Sequence, residues 1–141
     1  MSETSDKIEN LLKQTMIGIL STLNEDGSPN SMALWYEWDG ESILMFSVGN
    51  AGKIKRLCRD PRATLCIAEG VGIMEAWVSV EGSVEVIDDL QRTREFCCGL
   101  AERYYEPERA KETVEAYSKA EGIVMLKLKP SRIKSIWGNY A

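Results

Sequence analysis

Histidine is absent from all 141 residues, and that absence excludes several chemistries at once. It removes Ser-His-Asp and Cys-His triads, a proximal haem histidine and the usual zinc sites. The four cysteines do not fill the gap, because Cys58 and Cys66 stand apart, Cys97 and Cys98 are adjacent, and no C-x-x-C occurs. They read as small buried hydrophobes, and no metal site is expected. No apolar run approaches the ~18 residues of a membrane span. The opening MSETSDKIEN is polar and acidic, so no secretory signal is expected there and the cytoplasm is the default location. A net charge of −5 is the wrong sign for displacing counterions from nucleic acid, so neither nucleic acid nor membrane is expected as a partner. With no obvious acid–base pair the catalytic side chains stay unassigned. Any chemistry is expected to come from a bound organic cofactor.

What is present suits one folded domain over residues 1–141, with 44% hydrophobic and 28% charged residues. Ile8, Leu11 and Leu12 share a helical face within Thr4 to Lys13. Met16 to Leu23 is apolar on both alternating faces, as in a barrel strand. The segment NEDGS supplies a turn into a strand from Asn30 to Trp38, and Asp39-Gly40 supplies another into Ser42 to Val48. Together these predict a three-stranded antiparallel meander. A fourth strand is expected at Ala63 to Ala68, a loop at Glu69 to Ile73, and a long strand from Met74 to Ile87 with a bulge or bend at Gly82. Asp88 is the expected cap of a helix carrying Phe96, Cys97, Leu100, Ala101 and Tyr104. Pro107 opens a second helix, for which Gly122 is the expected stop. A last strand, Ile123 to Trp137, is interrupted at Pro130. The expected fold is mainly β: a six-stranded antiparallel barrel with peripheral helices.

Between the third and fourth strands, SVGNAGKIKRLCRDPRAT places Ile54, Leu57 and Cys58 at helical spacing and stops at Asp60-Pro61. With Asn50 as cap, Lys53 falls in the first turn, where the helix dipole disfavours a cation. A lysine there makes sense beside an anion bound by the free N–H groups of the helix start. Taken alone, such a lysine reads more readily as a solvated surface side chain.

The succession of meander strands, a strand ending F-S-V, then G-K-I-K-R-L-C-R-D-P-R-A-T and an apolar strand, resembles the pyridoxamine 5'-phosphate oxidase-like family of flavin-binding split β-barrels. The similarity runs from Met16 to Ile87 and resumes at S-R-I-K-S-I-W-G. It implies a homodimer with two flavin sites at the subunit interface and FMN as cofactor, a deazaflavin being the alternative. Lys53 matches the lysine that holds the flavin phosphate. Ser47 and Val48 match the strand end beside it, and Met32, Ala33, Leu34 and Trp35 match the strand along the isoalloxazine ring. Trp77 and Trp137 are candidate wall residues from either subunit. Where many relatives carry an arginine two residues before the lysine, this chain has Ala51, with Lys55 or Arg56 as possible substitutes. The end, Gly-Asn-Tyr-Ala, lacks the basic substrate-phosphate motif of true pyridoxamine phosphate oxidases. The resemblance implies a flavin oxidoreductase using a donor such as NAD(P)H on an unidentified small molecule. A deazaflavin-dependent reductase and a non-catalytic flavin carrier or sensor are the other readings.

Overall fold

A computed structural model describes residues 3–140 except 71, 73 and 74. The expected loop through Val71 and Ile73 and the strand start at Met74 lie in part outside those residues. In chain order the elements are α1 (Glu3–Leu12), β1 (Ile17–Leu23), β2 (Pro29–Trp35), β3 (Glu37–Trp38), β4 (Ile43–Val48), α2 (Gly52–Arg59), β5 (Arg62–Glu69), β6 (Ala76–Ile87), α3 (Leu90–Tyr104), α4 (Pro107–Tyr117), β7 (Ile123–Ser135) and β8 (Gly138–Tyr140). The strands form one antiparallel sheet in the order β2-β1-β5-β6-β7-β4-β3, with β8 on β7. No helix among the described residues is long and apolar enough to cross a membrane.

The mainly β split-barrel architecture agrees with expectation, but the sheet has eight strands rather than six. Two small strands account for the difference. β8 follows a turn that leaves the last long strand at Ser135, short of Trp137. The expected strand from Asn30 to Trp38 breaks at Tyr36, so only its remnant β3 pairs with β4. Since β2 and β3 stand at opposite ends of the strand order yet are joined by one residue, the chain itself curls the sheet into a barrel.

Tyr36 is fully buried, and its hydroxyl donates to the Leu12 carbonyl at 3.0 Å. Trp38 Nε1 donates to the buried Glu9 carboxylate at 2.7 Å. These two bonds hold α1 over the barrel end, where Ile8, Leu11 and Leu12 join a core of Leu20, Ile43, Met45, Leu65, Val78 and Leu126. Such burial removes most of each side chain's apolar surface from water, about 1.5–3 kcal/mol apiece.

Several boundaries shift for local reasons. Asp89 rather than Asp88 caps α3, its side chain accepting from Arg92 N. α4 ends at Tyr117, and Gly122, at φ 66°, serves the turn into β7 instead of a helix stop. α2 begins after Ala51, not Asn50, and no side chain caps it. The bulge expected at Gly82 is present, and it lies opposite Pro130, where the β6–β7 register slips by one residue. β1 alternates instead of burying both faces: Gly18, Leu20 and Thr22 point inward while Ile17 and Ile19 are exposed. Cys97 is buried, but Cys58 lies exposed on α2.

Candidate functional site

The site sits where the barrel fails to close. β3 pairs with β4 only at Glu37–Leu44 and Trp38–Ile43. The same register continued would set Trp35 opposite Phe46 and Leu34 opposite Ser47, yet no such pairs form among the described residues. The two strands splay apart, and β2 keeps a free edge there because its other edge is taken by β1. Free strand edges present backbone donors and acceptors to whatever lies beside them.

Tyr104 drives the splaying. Its hydroxyl donates to the Met16 carbonyl at 2.6 Å, lies 3.0 Å from the Tyr36 carbonyl and accepts from Tyr36 N at 3.1 Å. A side chain from α3 thereby takes the backbone partners that a continuous strand would need. The Tyr104 ring stacks on Trp35 at 4.8 Å between centroids, and Tyr105 meets Trp35 edge-on at 4.8 Å. Trp35 is thus fixed by packing at the mouth of the split.

The resulting cleft, about 340 Å³, is lined by Leu34, Trp35, Phe46, Ser47, Val48, Lys53, Tyr105 and Tyr117. Five of the residues singled out in the sequence therefore converge from β2, β4 and α2: Leu34, Trp35, Ser47, Val48 and Lys53. Met32 and Ala33 lie further along β2, Met32 partly buried against the core and Ala33 exposed opposite Ile19. Trp77 and Trp137 do not line this cleft. Trp77 is exposed at the start of β6, and Trp137 packs partly against the core beyond β7. Ser47 is buried, and its hydroxyl donates to the Val48 carbonyl at 2.9 Å. Phe46, Tyr105 and Tyr117 were not anticipated. Phe46 and Tyr117 meet edge-on at 5.5 Å, closing the side formed by α4. The adjacent tyrosines just before Glu106-Pro107 were the available signal, since two aromatics at a helix end are costly unless they pack.

Lys53 is the one charged side chain that lines the cleft. Lys53 forms no ion pair among the described residues, and burial, followed by the neighbouring Arg56 guanidinium, lowers its pKa. Burial raises the pKa of Tyr117, so its hydroxyl stays protonated at neutral pH and can donate. Neither Tyr105 nor Tyr117 has a hydroxyl partner among the described residues. No group of three or more acidic or cysteine side chains that could hold a metal occurs among the described residues. The arrangement can bind a flat conjugated molecule against aromatic walls and an anion at the Lys53 end. Its lining holds no histidine, aspartate or glutamate that could act as a general base.

Comparison with solved structures places the fold among proteins of varied function. A conserved hypothetical protein from Mycobacterium tuberculosis is similar at 26% identity and a TM-score of 0.76, covering 96% of this chain and 84% of that one. An F420 reductase is similar at 23% identity and a TM-score of 0.71, covering 89% and 94%. General Stress Protein 26 from Bacillus anthracis is similar at 19% identity and a TM-score of 0.72, covering 97% and 96%. No curated protein matches the chain. The family model described as pyridoxamine 5'-phosphate oxidase matches residues 4–137, nearly the whole chain. With that match added to the split barrel and its cleft, the chain belongs to the pyridoxamine 5'-phosphate oxidase family.

Proposed function

We propose that this protein is an FMN-binding oxidoreductase, with the flavin seated in the split between β2 and β4. The observation that carries the reading is Lys53, half-buried and without an ion pair among the described residues, in a cleft otherwise lined by aromatic and apolar side chains and Ser47. An ammonium that loses hydration without gaining a carboxylate is unfavourable, and a phosphate would reverse that cost. In this reading Lys53 holds the phosphate, and Ser47 and Val48 flank it. The free edge of β2 at Met32, Ala33 and Leu34 offers backbone hydrogen bonds to the ring's polar rim, and Trp35 bounds the ring. A bound flavin supplies hydride and electron transfer, while the protein fixes its position and excludes water. Tyr117, held protonated, is placed to donate a hydrogen bond to a substrate oxygen.

Purified protein should show a flavin absorption spectrum, or apo-protein should quench FMN fluorescence on titration. Rapid reduction of the bound flavin by NADH or NADPH supports the enzyme. Tight FMN without turnover turns the reading to a carrier or sensor, and no flavin binding overturns it. The F420 reductase likeness keeps a deazaflavin as the second candidate, and the released cofactor's mass distinguishes the two.

A homodimer completes the proposal. Ile17, Ile19, Trp77 and Ile136 are exposed large hydrophobics; the register through Cys66 and Ser79 links Ile19 on β1 to the Trp77 side of β6, and Ile136 N donates to the Trp77 carbonyl at 3.3 Å. Ile17 lies directly opposite Trp35, so this apolar face adjoins the cleft. A second copy covering it would hide the patch and could bring Trp77 or Trp137 to its neighbour's flavin as a wall. Light scattering should give twice the 15.8 kDa chain mass. Ile19→Asp should yield monomers with weakened FMN binding, and a monomeric parent protein would remove the shared site.

A further inference from the structure

We propose that the groove between α3 and α4 binds the organic substrate, an uncharged aromatic molecule, and that Tyr105 is the wall through which it adjoins the flavin cleft. The substrate role rests on the FMN reading above, whereas the groove as a binding site stands apart from it. A cavity of about 510 Å³ opens between the two helices, lined by Glu102, Tyr105, Pro107, Ala110, Lys111 and Val114. Tyr105 also lines the flavin cleft. Pro107, Ala110, Val114 and Tyr117 follow one another at spacings of three and four along α4, so they share one face of that helix. The last of them lines the cleft. One helix face and one tyrosine therefore run from the groove to the cofactor site.

Local packing leaves this space open. Ala110 is the one buried residue of α4, and a side chain of a single methyl leaves room beside it. Val114, one turn on, stays half-buried. Tyr105 is held differently from its neighbour. The Tyr104 hydroxyl meets three backbone groups, whereas the Tyr105 hydroxyl has no partner among the described residues. The Tyr105 ring is engaged instead, edge-on to Trp35 at 4.8 Å and beneath the Arg109 guanidinium at 4.2 Å. The lining sets the ligand. Glu102 and Lys111 are exposed, opposite in sign and without an ion pair among the described residues, so the groove favours neither an anion nor a cation. The rest of the lining is apolar apart from the Tyr105 hydroxyl, which can donate to a carbonyl oxygen. An apolar cavity with one convergent polar group suits an aromatic ring that carries one uncharged acceptor.

Acetophenone, an uncharged aromatic ketone, is the probe, titrated into methyl-labelled protein and followed at the Ala110 and Val114 methyl resonances. Saturable shifts are expected at both, with benzoate and benzylamine binding at least about tenfold more weakly. Tyr105→Phe should weaken acetophenone by about three- to tenfold and leave ethylbenzene, which has no acceptor, within about twofold. Val114→Arg puts a charge on the floor and should abolish the Ala110 shift. With FMN bound, filling the groove should change flavin fluorescence through the shared Tyr105 wall. Shifts confined to the cleft methyls of Leu34 and Val48, or no shifts at all, overturn the groove as a site. So do Ala110 and Val114 shifts that follow protein concentration without probe, since the groove is then a contact between copies. Equal affinity for benzoate or benzylamine overturns the uncharged class. A groove that fills with no response from bound FMN overturns the substrate role. If FMN does not bind, the flavin reading and the substrate role both fall, while shifts at Ala110 and Val114 in that same protein keep the groove as a site for uncharged aromatics.

Discussion

Gly82→Ala is expected to destabilise the protein by about 3 kcal/mol or more, the upper part of the range for overpacking. A Cβ at this position would overlap the Lys129 carbonyl oxygen and crowd the Lys129 carbonyl carbon and Pro130 Cα. All three are backbone atoms, so no side-chain rotation can make room. They sit at the β6–β7 bulge, where Gly82 faces Pro130 and the register slips. Relieving the overlap means separating the two longest strands of the sheet, which carry Val78, Val80, Val84, Leu126 and Leu128 into the core. At about 2–4 °C per kcal/mol for a chain near this size, the melting midpoint should fall by roughly 6–12 °C. Gly99→Ala is the matched control. Gly99 lies inside α3 with nothing within 4 Å of an added Cβ, so alanine should raise stability by about 0.5–1 kcal/mol. Equal midpoints for the two variants would contradict the close approach at the bulge.

The bulge was legible because glycine and proline punctuate strands for reasons that act within a few residues. The same holds for the turns: Gly27 and Gly40 adopt φ 86° and 98°, as the D-G pairs imply. The break at Tyr36 was not legible. Its alternation with Met32, Leu34 and Trp38 reads as one strand, and the interruption comes from Tyr104, 68 residues further on, whose hydroxyl takes the backbone partners. Periodicity carries no information about a competitor so distant in sequence. Ile17 and Ile19 show a related limit. Apolar residues on both faces of β1 suit a barrel strand, yet one face of a small barrel is left uncovered within a single chain. The mismatch between pattern and exposure is itself the reason for assigning that face to a second copy.

The failure of the strand and the position of the cleft are one fact. Had β2 continued along β4, Trp35 and Leu34 would have met Phe46 and Ser47 in a closed ladder, and the inside of the split would have been filled. A hydroxyl from α3 holds it open, and the aromatic residues next to that hydroxyl, Trp35 and Tyr105, wall the opening. Lys53 on α2 stands out locally because helix starts have a sequence signature, whereas Ser47 and Val48 on β4 follow only from the family resemblance and Phe46 from neither. Cleft residues on α3 and α4 could not be picked out, since their stripe of apolar positions looks the same whether it faces a core or a ligand.

Lys53→Ala is expected to weaken FMN binding by about ten- to a hundredfold, corresponding to ~1.5–3 kcal/mol for a lost charge-assisted hydrogen bond, without lowering the stability of the apo-protein. The two halves of that expectation have one origin. Burial and the Arg56 charge lower the Lys53 pKa in the folded chain, so folding disfavours its charged form. The penalty is fully present below the lowered value and fades as pH rises towards the ordinary lysine pKa of 10.5. Removing the ammonium relieves that penalty, so the apo melting midpoint at pH 7 should hold or rise. Above the lowered pKa the gap between wild type and variant should narrow. An ordinary surface lysine would behave differently, with little change in either property. A structural lysine would show the reverse pattern, losing stability on substitution while FMN affinity stayed constant. Riboflavin separates charge from shape, because it keeps the ring and ribityl chain but lacks the phosphate, and its affinity should be equal in wild type and Lys53→Ala. Weakened FMN, unchanged riboflavin and undiminished apo stability together define a residue kept for its ligand at a cost to the fold. Loss of riboflavin affinity in parallel with FMN would instead mean that Lys53 shapes the cleft as a whole and does not hold a phosphate.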